Sequence, residues 1–79
     1  MSENEIYRSW ENRSNQVKKY YASMTKGEKS HFLNDLNRNY ELIPNTMSSK
    51  LSGHIKIRPV EVFVAEEELK KRGYHINNN

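Results

Sequence analysis

Pro44-Asn45-Thr46-Met47-Ser48-Ser49-Lys50-Leu51-Ser52-Gly53 reads as one short helix with both end signals in place. Proline suits the first helical position, where the amide proton it lacks would have had no intrahelical acceptor. Glycine suits the position just past the end, where the chain turns left-handed. Met47 and Leu51 lie four apart and share a face, with Ile43 just before them. That arrangement leaves Asn45, Thr46, Ser48, Ser49 and Lys50 on the outer side.

Upstream, Glu41-Leu42-Ile43 is a brief connection to an earlier helix. Thr25 followed by Glu28 opens that helix as a capping box, in which the hydroxyl and the carboxylate each accept from a free amide. Phe32, Leu33, Leu36 and Tyr40 form its apolar stripe, and the asparagine-rich run from Asn34 to Asn39 predicts fraying near Tyr40. Before it, a long helix is expected over residues 3–23. Ile6, Trp10, Val17, Tyr21 and Met24 recur there at spacings that stack them on one side. The stripe reads as core or as a dimer seam, so Ile6, Trp10, Val17 and Tyr21 are candidate dimer or partner contacts.

Downstream, the last third allows two readings. Pro59 can start a helix over 59–73 with Val62, Ala65 and Leu69 facing the core. Glu66-Glu67-Glu68 and then Lys70-Lys71-Arg72 before Gly73 complement the helix dipole, and suggest the pairs Glu66–Lys70, Glu67–Lys71 and Glu68–Arg72. Alternatively, Ile55-Lys56-Ile57 and Val62-Phe63-Val64 are β-prone runs around a proline turn, which would make a short β-wing within 55–64. Proline in a first turn favours the helix. The fold expected is therefore all-α, a small four-helix domain containing a helix-turn-helix over 25–53.

The chain of 79 residues makes a single domain, 1–79. A domain of this size buries a modest fraction of its surface, and the absence of cysteine removes disulfides and Cys-based zinc sites as supports. Oligomerisation is the remaining common aid, so a homodimer is expected. The polar, acidic start Met1-Ser2-Glu3-Asn4-Glu5 has no signal-peptide pattern, and no apolar run is long enough for a membrane span. A cytoplasmic protein without membrane association is expected. Net charge is +3, but its distribution is more informative. From Leu42 to Val60 there is no acid, while Lys50, His54, Lys56 and Arg58 all fall there.

Nothing points to catalysis. His31, His54 and His75 lie far apart without metal-ligand spacing, Asp35 is the only aspartate, and no Gly-rich phosphate loop or nucleophile elbow is present. No metal and no cofactor are expected, and the chain is not expected to be an enzyme.

The layout of a bracing helix, a brief turn and a short polar-faced helix is what a helix-turn-helix needs to lay its second helix in the major groove. Asparagine can read adenine with two hydrogen bonds, and serine or threonine can contact bases or phosphates. Lys50, His54, Lys56 and Arg58 would follow as phosphate contacts. The run from Ile43 to Gly73 resembles the recognition helix, loop and following helix of lambda-repressor-like, Cro-type domains. Their order of elements is matched by Thr46-Met47-Ser48, then Leu51-Ser52-Gly53, the basic loop from His54 to Arg58, and Pro59. The chain departs from that family at Asn37 and Glu41, where alanine and glycine are usual, so a longer or differently shaped turn is expected.

The resemblance implies a sequence-specific, double-stranded DNA-binding transcriptional regulator. A repressor of phage or mobile-element type, acting as a homodimer, fits it best. Its contacts would be Asn45, Thr46, Ser48, Ser49, Lys50, His54, Lys56 and Arg58. The alternative is a protein-interaction module, such as an antirepressor or an inhibitor of a host nucleic-acid-binding protein. In that case Trp10, Tyr7, Tyr20 and Tyr21 would form the contact surface. RNA binding by exposed tyrosines is a third option.

Overall fold

The computed structural model describes the backbone of residues 3–76 and the side chains of residues 9–76. Four helices follow in order: α1 (Glu3–Ser23), α2 (Lys26–Tyr40), α3 (Pro44–Leu51) and α4 (Pro59–Lys71). No strand occurs among the described residues, so the β-wing does not form. Ile57 is instead buried in the core, and Pro59 begins a helix whose third residue, Glu61, caps the Arg58 amide at 2.8 Å.

Each helix end is made by the local signals that its residues carry. Thr25 and Glu28 exchange hydrogen bonds at the start of α2, at 3.2 and 2.9 Å. The Thr25 amide and hydroxyl hold the exposed Glu28 carboxyl below its ordinary value. At the end of α3, Gly53 is left-handed (φ 87°), and its amide and that of His54 reach Lys50 O and Ser49 O at 3.2 and 2.9 Å. Gly73 (φ 89°) closes α4 in the same way, through Lys70 O and Leu69 O. Both ends are Schellman motifs.

The end of α2 is different. Glu41 takes the left-handed conformation (φ 59°, ψ 27°), and its amide bonds Asn37 O at 2.8 Å. Asn37 Nδ2 then donates to Leu42 O at 3.1 Å. Asn37 and Glu41 thus work together. Glutamate accepts the strained position, the asparagine side chain clasps the following carbonyl, and only residues 41–43 separate α2 from α3. The connection is short, not lengthened, and α2 stays helical to Tyr40 despite its asparagines.

The core collects Val17, Tyr21 and Met24 from α1, Phe32 and Leu36 from α2, Met47 and Leu51 from α3, Ile57, and Val62, Ala65 and Leu69 from α4. α4 packs against α1 and α2, while α3 packs against α2 and α1. Val17 and Tyr21 are 0 % and 4 % exposed, so they belong to the chain's own core and are unavailable to a second copy. Trp10 is half-buried beneath the Arg13 guanidinium, 4.1 Å from its ring centroid. Ile6 lies outside the described side chains.

Charged groups join helices that are distant in sequence. Arg13 makes two hydrogen bonds to Glu66, at 3.0 and 2.5 Å, tying α1 to α4. Arg72 pairs with Asp35 of α2 and lies over the Phe32 ring. The ladder of fourth-neighbour pairs expected within α4 therefore does not form. Glu66 and Arg72 leave for partners on other helices, and Glu67 and Glu68 take the third neighbours Lys70 and Lys71, at 3.3 and 3.4 Å.

Replacing Glu41 by glycine removes a left-handed Cβ conflict that costs an L-residue roughly 1–2 kcal/mol, offset in part by the greater freedom of the unfolded chain. Glu41→Gly is expected to stabilise the domain by about 0.5–1 kcal/mol, and Asn37→Ala to destabilise it by a similar amount. Urea unfolding midpoints at constant slope measure both.

Candidate nucleic-acid interface

The outward arc of α3 follows from its two anchors. Met47 and Leu51 are buried, so the side of the helix away from them carries Asn45, Thr46, Ser49 and Ser52. Asn45, Thr46 and Ser52 are exposed. Ser49 is half-buried, and its carbonyl accepts from the amides of His54 and Ile55 as the loop folds back.

Two expected contacts turn inward. Ser48 borders α1, with its Oγ 3.3 Å from the Tyr21 hydroxyl. Lys50 does not face solvent. Its side chain is 12 % exposed, and Nζ donates to Glu61 Oε2 of α4 at 2.6 Å. A lysine that neutralises a buried carboxylate is not free to meet a phosphate. The expectation of an outward Ser48 and Lys50 is corrected on these grounds. Both positions flank the Met47–Leu51 stripe, and the neighbouring helices supply partners that draw them in.

Glu61 is the residue that sequence reasoning missed. Its side chain is 3 % exposed and accepts from Lys50 Nζ and the Arg58 amide, with Arg58 Nε more loosely placed at 3.5 Å. Burial pushes this carboxyl up. The hydrogen bonds from Lys50 and the Arg58 amide, with the lysine charge, outweigh burial and hold it below its ordinary value. The available signal was positional, because a glutamate third in a proline-started helix reaches back to the cap amide. Nothing local announced that a lysine from α3 would join it.

His54, Lys56 and Arg58 lie exposed in the loop that follows α3. Six of the eight expected contacts therefore stay on the exposed or half-exposed side of α3 and its loop: Asn45, Thr46, Ser49, His54, Lys56 and Arg58. The nearest acid in sequence, Glu61, is withdrawn into an ion pair.

No protein-family model, characterised protein or solved structure matches this chain. No helix among the described residues is long and apolar enough to cross a membrane. An open depression of about 390 Å³ is lined by Met24, Glu28, Arg72, Gly73 and Tyr74, and shares no residue with the α3 surface.

The Glu61 pair sets a pH dependence. A carboxyl held low in the folded state stabilises it above the unfolded pKa, and that contribution fades as pH falls through the folded value. Stability is expected to drop below about pH 4.5, the ordinary value for this group. Glu61→Gln should lower stability at pH 7 by about 2 kcal/mol and flatten this acid limb. Thermal melts from pH 3 to 7 on both proteins check it, and an unchanged acid limb in the variant would refute the assignment.

Proposed function

We propose that this protein binds double-stranded DNA through the outer face of α3, as a sequence-specific transcriptional regulator, with repression as its main mode. The observation that carries the reading is the chemistry of that face. It offers short, uncharged hydrogen-bonding side chains, Asn45, Thr46, Ser49 and Ser52, with no carboxylate among them. Such groups suit base edges, whereas a carboxylate would meet phosphates unfavourably.

Three features support it further. The tight α2–α3 connection and the inward Met47 and Leu51 hold the short helix from behind, as a reading helix must be held. The loop that follows supplies exposed His54, Lys56 and Arg58 for the backbone. The resemblance of residues 43–73 to lambda-repressor-like domains points the same way. In this reading Asn45 and Ser49 discriminate bases, Thr46 and Ser52 flank them, and Lys56 and Arg58 position the duplex. Lys50 and Ser48 hold α3 in place.

A second reading, a module that binds another protein, is favoured by exposed apolar side chains at Ile43, Ile55, Val60 and Phe63. The two readings separate in one experiment. A gel shift against the DNA upstream of its own gene, at several salt concentrations, is expected to show a shift that weakens steeply with salt and exceeds that of random duplex. Asn45→Ala should relax base preference by about 1–3 kcal/mol at one position. Lys56→Ala should weaken every sequence alike and reduce the salt slope by about 1. Absence of any shift in dilute buffer, together with a stoichiometric protein partner, would favour the second reading.

A further inference from the structure

Ile43 is the most exposed large apolar side chain among the described residues, at 65 %. Its spacing from Met47 and Leu51 puts it in line with the inner stripe of α3, yet the buried stripe begins only at Met47. The backbone gives the reason. Ile43 is extended (φ −72°, ψ 121°), and successive side chains of an extended segment point to opposite sides. Leu42 is the one that packs against the core, so Ile43 points away from it.

Neither structural duty open to this position is met. Ile43 is the N-cap of α3, and no side chain caps the first turn of that helix. Serine, threonine, aspartate and asparagine are favoured there, because their oxygens accept from an orphan amide, and isoleucine is among the poorest choices. Burial does not compensate, since most of the residue meets water. The chain forgoes a cap without gaining a core contact. A residue that breaks a local rule with no structural compensation marks a place where function sets the choice.

We propose that Ile43 reads thymine, by packing its side chain against the C5-methyl group in the major groove. This rests on the DNA-binding reading of α3. A reading helix presents its amino end to the base edges, and Ile43 stands at that end, two residues before exposed Asn45. Among the groups that base pairs display in the major groove, the thymine methyl is the apolar one. The others donate or accept hydrogen bonds, and the isoleucine side chain can answer none of them. Exposed Thr46 lies three residues on, one turn along the same edge, and its methyl group extends the apolar surface. The recognised site therefore holds a thymine within a few base pairs of an adenine that suits Asn45.

The tightest duplex selected from a random-sequence pool tests this, with its thymines replaced one at a time by deoxyuridine, which lacks only the methyl group. One replacement is expected to weaken binding by the unaltered protein about three- to fivefold. Ile43→Ala should weaken binding to the unmodified duplex about tenfold and remove the response to that replacement. Ile43→Ser supplies the missing cap. It should raise the melting temperature by about 2–8 °C while binding weakens as in Ile43→Ala. Stability and affinity then move in opposite directions, which a residue serving only the fold would not show. A tightly bound duplex indifferent to every deoxyuridine, a replacement felt equally by Ile43→Ala, or a lower melting temperature for Ile43→Ser would overturn this inference and leave the DNA reading standing. If no duplex is bound in dilute buffer, the DNA reading fails and this inference with it. A protein partner lost in Ile43→Ala, with no duplex bound, would overturn both in favour of the protein-binding reading.

Discussion

The Glu61 carboxylate, accepting from Lys50 Nζ at 2.6 Å and from the Arg58 amide at 2.8 Å, joins the end of α3 to the start of α4. An ionised group this far from water is tolerated only when it is paired and hydrogen-bonded. The pairing has two effects on the candidate interface. It sets how α3 lies against the body of the domain. It also removes both a lysine and a carboxylate from the surface, leaving an uncharged hydrogen-bonding face on α3 and the exposed cations on the loop beyond it.

The same device recurs around α4. Arg13 reaches Glu66 from α1, and Arg72 reaches Asp35 on α2, so ion pairs tie α4 to each of the other three helices. Three of the buried residues of α4 are glutamates. A small domain has few apolar contacts with which to choose among helix packings. Buried pairs of this kind contribute modestly to net stability but make wrong arrangements costly, since each would strand a charge. The helix that is most constrained on its inner side is also the one that leaves Val60 and Phe63 facing solvent.

Much of the secondary structure was legible because its causes are local. The Thr25–Glu28 box, the prolines at positions 44 and 59 and the glycines at 53 and 73 mark helix ends through groups within a few residues of each other. The spacing of Val17, Tyr21, Phe32, Leu36, Met47, Leu51, Val62, Ala65 and Leu69 marked the core. Glu41 was legible only as a departure. Its left-handed backbone and the Asn37 clasp become visible once α3 is seen packing directly behind α2.

The amino-acid order by itself determined the first three helices, with their end signals and apolar sides, and left the stretch 55–64 open between a helix start and a β-wing. Capping and periodicity act over one or two turns, and neither needs a distant partner. Only the tertiary structure decided that residues 55–64 form no β-wing, that Ser48 and Lys50 turn inward, that the glutamates of α4 leave their expected neighbours, and that Val17 and Tyr21 are interior. Those side chains sit at the borders of helical faces, and a border residue goes to whichever group the rest of the chain brings within reach. That group comes from an element far away in sequence, at a place set by how the helices pack.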